Sequence, residues 1–205
     1  TTVDHVGSWL LAFRRRALLP LGPGAAPTGH ADDLSDIGAG GAAAVDPTAH
    51  WDAAAFRARV PGPHFYPELA GSVLRSTADV VSSAPELARL TLNIAAVHHD
   101  SRAGDLLDRR RLVYGGHTIG LALAQVARLL PNVVTVLGWQ SCEHTGPVYE
   151  GDTLYSEVHV ERADPLPGDR GGVLTIRLLA FAVSDGGDEQ QDRPVLDWRF
   201  TALHF

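Results

Sequence analysis

One long apolar run constrains what this chain can fold into. From Ile119 to Leu130 the only strongly polar side chains are Gln125 and Arg128, so apolar residues occupy nearly every face of a helix drawn through the run. A helix with that pattern is normally buried on all sides. We therefore expect this helix to form the centre of the fold.

The start of the central helix is predicted at the pair Gly115 and Gly116, which is followed by His117 and Thr118. The first backbone N–H groups of a helix have no internal acceptor, and the helix dipole adds positive potential there. These groups would lie beside the preceding loop, which carries His98. The sequence thus predicts a position that can bind a carbonyl oxygen or an anion.

The segments after the central helix are predicted to be strands. Val133–Cys142 is rich in β-branched residues, and residues 154–161 alternate between apolar and polar side chains, as in a half-buried strand. Two further strands are expected at Val173–Val183 and Val195–Leu203, with a charged hairpin loop at Gly186–Arg193 between them.

The segments before the central helix are shorter. A strand is expected at Val73–Ser76, and a helix at Ala78–Leu92 that Pro85 breaks or restarts. Helices followed by a run of strands predict an α+β fold in which an antiparallel sheet wraps around one helix.

The N-terminal part of the chain has a different composition. Gly22–Pro47 consists largely of Gly, Ala, Pro and Asp, which is typical of a linker. Residues 1–21 and 195–205 share one spaced pattern: Leu11, Phe13, Arg14, Ala17 and Leu18 match Leu196, Trp198, Arg199, Ala202 and Leu203. We therefore expect residues 1–21 to be the closing strand of a preceding unit or an N-terminal tail, residues 22–50 a flexible linker, and residues 51–205 the main domain.

Charge and composition argue against several classes of partner. The formal net charge is -7, and basic residues cluster only at Arg14–Arg16 and Arg109–Arg111, so neither nucleic acid nor an anionic membrane surface is an expected partner. The single cysteine, Cys142, excludes an internal disulfide and fits a reducing compartment. No apolar stretch of about 18 residues and no signal-peptide pattern is present, so a cytoplasmic location is expected.

Four sequence blocks, taken in order, resemble the catalytic half of the MaoC-like hydratases and dehydratases. They are N-x4-H-x-D from Asn93, R-R-L-V-Y-G-G-H from Arg110, P-V-Y-E-G-D-T-L from Pro147 and P-V-L-D-W-R-F from Pro194. The match covers roughly residues 69–205 and is most similar to double-hotdog members of the mesaconyl-CoA hydratase type. The resemblance implies a hotdog fold that pairs with a second hotdog unit, or with another copy of this chain as a homodimer.

The resemblance also implies a reaction: reversible addition of water to a trans-2-enoyl-CoA, giving an (R)-3-hydroxyacyl-CoA. Coenzyme A is then part of the substrate, and neither a separate cofactor nor a metal is expected. The usual family motif has Asp and His five positions apart, but here those positions hold Asn93 and His98. Because an amide does not exchange a proton in the working pH range, His98 would be the sole general acid/base and Asn93 would orient the water.

The remaining site residues are predicted from the same resemblance. A backbone N–H at the Gly115–Gly116–His117 corner would receive the thioester oxygen as charge develops on it. One of Arg109, Arg110 and Arg111 could contact the phosphates of CoA, although a solvated charged face is the simpler interpretation of the triplet.

Other interpretations remain open on the sequence alone. His98 could be an ordinary hydrogen-bonded loop residue in a chain with ten histidines. Asn93 keeps open a non-catalytic acyl-CoA-binding protein. A hotdog thioesterase would use the same helix end, but it normally needs a carboxylate near the helix, and the helix after Gly116 has none. A metal site built from His99 and Asp100 with either His98 or His144 is disfavoured, because adjacent histidines rarely bind one ion.

Overall fold

The computed structural model describes residues 48–103, 110–183 and 192–205. The predictions for residues 1–21, for the linker up to residue 47, for Arg109 and for most of the Gly186–Arg193 loop lie outside the described residues. The described part contains helices α1 (Ala53–Arg57), α2 (Ala84–Leu90) and α3 (Gly115–Leu129), strands β1 (Val73–Arg75), β2 (Asp79–Val80), β3 (Val133–Glu143), β4 (Thr153–Pro165), β5 (Gly172–Ala182) and β6 (Arg193–His204), and 3₁₀ turns at Pro67–Leu69 and Ala96–His98. None of the described helices is long and apolar enough to cross a membrane.

The strands form one antiparallel sheet in the order β1-β4-β5-β6-β3, with β2 pairing additionally to β4. Every second residue of β5 is buried, from Gly172 to Ala182, which defines an inner face of the sheet. Leu178 of β5 pairs with Trp198 of β6, so the inner faces of neighbouring strands are in register. The predicted α+β fold and its last four strands are therefore confirmed.

The core lies between helix α3 and the inner face of the sheet. Ala122 and Val126 of α3 belong to one buried apolar cluster with Leu178, Trp198 and Phe200. The Trp198 and Phe200 rings stack with centroids 4.1 Å apart, and both are fully buried. Burying a large apolar side chain contributes about 1.5–3 kcal/mol, so this cluster fixes the position of α3 on the sheet.

Helix α3 is not buried on all sides, contrary to the expectation from its apolar pattern. Gly120, Ala124, Ala127 and Arg128 are exposed, whereas Val126 is completely buried. The sheet covers only one side of the helix, and the exposed apolar positions hold small residues with little surface to bury. Hydropathy alone did not distinguish this small-residue face from a core face.

The helix predicted at Ala78–Leu92 is wrong in its first part. Asp79 and Val80 pair with β4 as a short strand, and α2 begins only at Ala84. Pro85 lies in the first turn of α2, where its missing N–H costs no helical hydrogen bond. The proline therefore marks the beginning of a helix and not an interruption within one.

Polar and apolar surfaces lie on different parts of the described chain. The outer face of the sheet carries ion pairs such as Arg177 with Asp197 at 2.6 Å and Arg199 with Glu161 at 3.0 Å, which suits a surface in contact with water. Large exposed apolar side chains occur elsewhere, at Leu90, Leu92 and Ile94 around the end of α2 and at Val134 and Trp139 on β3.

Candidate active site

The start of helix α3 is covered by two side chains that only glycines allow to approach so closely. A β-carbon on Gly115 would lie 2.6 Å from Nε2 of His144, and one on Gly116 would overlap the phenol ring and hydroxyl of Tyr114. Real β-carbons essentially never show contacts under 3.0 Å. The two glycines thus permit His144 and Tyr114 to lie against the first turn, at the helix start the sequence predicted.

His98 is held beside this turn by hydrogen bonds to Leu112. Its Nδ1 donates to the carbonyl oxygen of Leu112 at 2.7 Å, and the Leu112 N–H donates to the Val97 carbonyl at 3.1 Å. Because a carbonyl oxygen only accepts, Nδ1 must carry the proton. In the neutral ring Nε2 is then unprotonated and able to act as a base.

The charge state of His98 suits a base. Burial lowers the pKa of His98, and the nearby His99 lowers it further, while the hydrogen bond to Leu112 partly offsets these effects. A histidine whose pKa lies below 6.5 is mostly neutral at pH 7. His98 therefore holds an available lone pair on Nε2 near neutrality.

Tyr114 connects His98 to the helix start. It is the residue immediately before α3, and its ring centroid lies 6.3 Å from that of His98 in an edge-on arrangement. Its ring also lies over Gly116. The structure therefore brings His98 and the glycine pair to the same corner of the fold.

Asn93 lies in the loop that leads to His98. Its Oδ1 accepts a hydrogen bond from the Ala95 N–H at 3.2 Å, and its backbone carbonyl accepts one from Nε2 of His99 at 2.5 Å. An amide oxygen has two lone pairs, so Oδ1 keeps one acceptor position and the Nδ2 group keeps its donors. Asn93 thus shapes its own loop and retains capacity to bind a water molecule.

His117 differs from the two glycines before it. Its backbone N–H donates to the Tyr114 carbonyl at 2.8 Å, so this donor is already used within the chain. Its Nδ1 is buried without a hydrogen-bond partner in the described part of the chain, and burial lowers the pKa of His117. Among the three predicted oxygen-binding residues, the backbone N–H groups of Gly115 and Gly116 are the available donors.

The arginines before the helix have partners within the chain. Arg111 pairs with Glu150 at 2.5 Å, and the Arg110 guanidinium lies 3.8 Å from the ring centroid of Tyr149 and 3.6 Å from Asp152. These contacts hold the segment leading into α3 against residues 148–150, where the Val113 N–H also donates to the Val148 carbonyl. A phosphate contact from this triplet remains a prediction, and Arg109 lies outside the described residues.

Sequence reasoning did not identify Tyr114 and His144 as parts of the site. Tyr114 belongs to the block that carries the family resemblance, and a double glycine at a helix start was a signal that something approaches closely. The sequence does not show which side chain does so. In the part of the chain that the structure describes, no group of three or more His, Cys, Asp or Glu side chains is arranged to hold a metal ion.

Comparisons with known proteins agree with this architecture. No protein-family model matches the chain. It is 33% identical over 127 residues to a beta-methylmalyl-CoA dehydratase from Chloroflexus aurantiacus, covering 56% of this chain and 36% of that protein. It is 38% identical over 102 residues to a mesaconyl-CoA hydratase from Cereibacter sphaeroides, covering 48% of this chain and 27% of that protein.

Two solved structures are also similar. One is a conserved hypothetical protein from Mycobacterium tuberculosis with a double hotdog fold, which matches with 67% identity and a TM-score of 0.73 over 85% of this chain and 51% of that one. The other is a MaoC domain protein from Chloroflexus aurantiacus, described as a candidate dehydratase, with 28% identity and a TM-score of 0.57 over 66% of this chain and 42% of that one.

The fold class is therefore the hotdog fold, as predicted. The predicted resemblance to the MaoC-like hydratases and dehydratases is confirmed by the same relatives. The chain spans about half the length of the double-hotdog structure and about a third or less of the two curated relatives.

Proposed function

We propose that this chain carries the active site for reversible hydration of a trans-2-enoyl-CoA, or for dehydration of an (R)-3-hydroxyacyl-CoA. The observation that carries the proposal is the 2.7 Å hydrogen bond from Nδ1 of His98 to the Leu112 carbonyl, which leaves Nε2 unprotonated in a neutral ring that lies next to Tyr114, the residue before α3. The named activities of the two curated relatives, a dehydratase and a hydratase of CoA esters, support the reaction class. Coenzyme A enters as part of the substrate, so the proposal requires no separate cofactor.

The reaction assigns one role to His98 in each direction. Nε2 removes a proton from water while the water oxygen bonds to C3 of the enoyl group, and the electrons of the double bond move toward the thioester oxygen. The resulting imidazolium then returns a proton to C2, so the imidazole ends neutral. A positioned acid/base group contributes about 10²–10⁴ in rate.

The helix start stabilises the intermediate in this proposal. Negative charge develops on the thioester oxygen as water adds, and the N–H groups of Gly115 and Gly116 lie at the positive end of α3. One such donor is typically worth about 10²–10³ in rate. Asn93 orients the attacking water, because its Nδ2 can donate to the water oxygen and its Oδ1 retains an acceptor position.

A second hotdog unit is the proposed protein partner, supplied either by a homodimer or by another unit. The observations that support it are the exposed small-residue face of α3 and Trp139 on the edge strand β3, whose side chain is 52% exposed. Trp139→Glu would place a charge on the exposed side of the edge strand β3. We expect the variant to dissociate in light-scattering measurements at concentrations where the wild type associates, and a monomeric wild type would contradict the proposal.

The proposed chemistry is tested by His98→Asn. The asparagine Nδ2 can replace the Nδ1 donor to Leu112 while removing the base, so we expect the fold to be kept and hydration of enoyl-CoA to fall about 10²–10⁴-fold. Loss of the conjugated thioester absorbance measures the reaction across short, branched and long acyl chains. His50→Asn, at an exposed position, is the matched control. Equal turnover by wild type and His98→Asn would remove the assignment.

A non-catalytic acyl-CoA-binding protein is the second candidate. It is favoured by one observation, that Oδ1 of Asn93, at the position of the usual carboxylate, is already bonded to the Ala95 N–H. Tight binding of an enoyl-CoA without turnover would support it. Release of free CoA thiol in the same assay would instead indicate a thioesterase.

A further inference from the structure

The Tyr114 side chain lies at the same helix end as the proposed oxygen-binding groups. Its hydroxyl and ring occupy the place where a β-carbon on Gly116 would be. In an α-helix the Cα–Cβ bond tilts toward the N-terminus. The phenol hydroxyl therefore lies on the N-terminal side of the first turn of α3, where the N–H groups of Gly115 and Gly116 have no helical acceptor.

The position of Tyr114 is fixed from both sides. The segment before it pairs with residues 148–150, through the Val113 N–H and the Val148 carbonyl at 2.8 Å. The segment after it is the helix itself, whose His117 N–H donates to the Tyr114 carbonyl. The backbone of Tyr114 is therefore anchored, and the missing side chain at Gly116 leaves room for its ring against the first turn of α3.

The hydroxyl is available to a ligand. Across residues 48–103, 110–183 and 192–205 the structure forms no hydrogen bond from the Tyr114 hydroxyl. The ring is only partly buried, and it lies edge-on to His98 with centroids 6.3 Å apart. A group that contacted both His98 and the helix start would thus lie next to this hydroxyl.

We propose that the Tyr114 hydroxyl is an additional hydrogen-bond donor to the thioester oxygen, acting with the N–H groups of Gly115 and Gly116. The inference rests on the proposed hydration of enoyl-CoA and deepens it. Phenol donates a hydrogen bond to the enolate oxygen and keeps its proton, so the overall proton balance stays with His98. A third donor compensates for the His117 N–H, which the Tyr114 carbonyl already engages.

The direct test measures enolate stabilisation without turnover. Acetoacetyl-CoA is the probe, because its enolate has a near-ultraviolet absorbance that rises when a protein site supplies donors to the oxygen. We expect the wild-type chain to increase the enolate fraction of the bound probe and Tyr114→Phe to reduce that fraction about tenfold. Tyr66→Phe, which removes a hydroxyl from a tyrosine that is 45% exposed, is the matched control and should behave as wild type.

Turnover and binding provide the second measurement. With an enoyl-CoA that the wild type hydrates, Tyr114→Phe should lower kcat about 10²-fold while affinity for the saturated acyl-CoA changes little, because the donor acts mainly on the charged state. Gly116→Ala displaces the ring without removing the hydroxyl, and we expect it to reproduce the loss of enolate signal.

The outcomes separate this inference from the function on which it rests. A wild-type enolate signal that Tyr114→Phe leaves unchanged, or no enolate signal in the wild type, overturns the role of Tyr114 even when hydration is observed. A Tyr114-dependent enolate signal in a chain that hydrates no enoyl-CoA supports the donor and refutes the hydratase proposal.

Discussion

The imidazole of His144 occupies the space that a side chain on Gly115 would need, with Nε2 2.6 Å from the ideal Cβ position. Gly120 lies further along the same helix and is exposed. A β-carbon at this position would have nothing within 4 Å. These two glycines therefore form a matched pair, because they share a helix and differ in what lies beside them.

Gly120→Ala should raise the free energy of unfolding, and Gly115→Ala should raise it less. Alanine in a helix interior is favoured over glycine by about 0.5–1 kcal/mol, and at Gly120 nothing opposes that gain. At Gly115 the new methyl must displace the His144 ring, which offsets it. Urea denaturation measures both free energies of unfolding. A larger gain for Gly115→Ala than for Gly120→Ala would show that His144 does not rest on the helix start.

Leu92, at the start of the loop that leads to His98, has an unfavourable backbone conformation. Its φ is 56°, in the left-handed region, and the helix ends with Leu92 N–H bonded to the Arg89 carbonyl and Asn93 N–H bonded to the Ala88 carbonyl. Glycine is usual at this position of such a helix end. Leu92→Gly should therefore raise the free energy of unfolding by about 0.5–1 kcal/mol, measured by urea denaturation.

The control for that prediction is Leu90→Gly, at the last residue of α2. Both leucines are 80% exposed, so little packing is lost in either variant. Glycine at this helical position should destabilise the chain, by up to about 1 kcal/mol. Destabilisation by both substitutions would mean that the Leu92 side chain makes contacts that outweigh its backbone strain.

The sequence predicted those parts of the site that are formed by residues close together in the chain. The glycine pair and the apolar run set the start of α3 at Gly115, and the structure begins the helix there. The hydrogen bond between His98 and Leu112 joins residues that are only 14 positions apart in the chain. Both residues also lie within the sequence blocks that carry the family resemblance. His144 lies just after the end of β3, and its contact with Gly115 depends on how the tertiary fold brings that strand end to the helix start.

Polar contacts between residues far apart in the chain could not be predicted from the sequence either. Gln125 and Asp79 are 46 residues apart, and the sequence suggested a helix at Asp79 and gave no partner for Gln125. A polar residue inside an apolar run indicates a buried partner, but it does not name one. The sequence also did not predict that α3 is buried on one side only. It does not show what packs on each helix face, and small apolar residues occur both in cores and on exposed faces.

Asn93→Asp should retain or raise hydration activity. A carboxylate oxygen can replace Oδ1 in accepting the Ala95 N–H, so the loop is kept, and it restores the commoner Asp–His pair near the water. Steady-state hydration of the best enoyl-CoA measures the effect. Asn93→Ala, which loses both the turn contact and the water contact, is the control and should be less active. Complete loss in Asn93→Asp would show that the amide itself is required.

The pH dependence of kcat/KM should report the lowered pKa of His98. Burial disfavours the imidazolium, so the base form persists to pH values below 6.5 and the rate should be flat from about pH 7 to 8. Activity should fall only as pH decreases through the lowered pKa. In Asn93→Asp the added carboxylate favours the imidazolium, and the acid limb should move to higher pH. An acid limb above pH 6.5 in the wild type would contradict a buried neutral base.

Gln125 links α3 to the sheet through hydrogen bonds inside the core. It is 1% exposed, its Nε2 donates to Asp79 at 2.8 Å and to the Leu154 carbonyl at 2.9 Å, and its Oε1 accepts from Ser156 Oγ at 2.5 Å. Gln125→Ala removes the partner of the Ser156 hydroxyl and of the Leu154 carbonyl and opens a cavity, so we expect the free energy of unfolding in urea to fall by about 2–4 kcal/mol.

Arg128→Gln provides the comparison for that loss. Arg128 contacts the same Asp79, but its side chain is 47% exposed, and a surface ion pair is typically worth under about 1 kcal/mol. A large loss for Gln125→Ala with a small one for Arg128→Gln would show that the buried amide, and not the charge pair, holds the helix on the sheet. Similar losses for the two variants would mean that Asp79 is anchored chiefly from the surface, and the position of α3 would then depend on apolar packing alone.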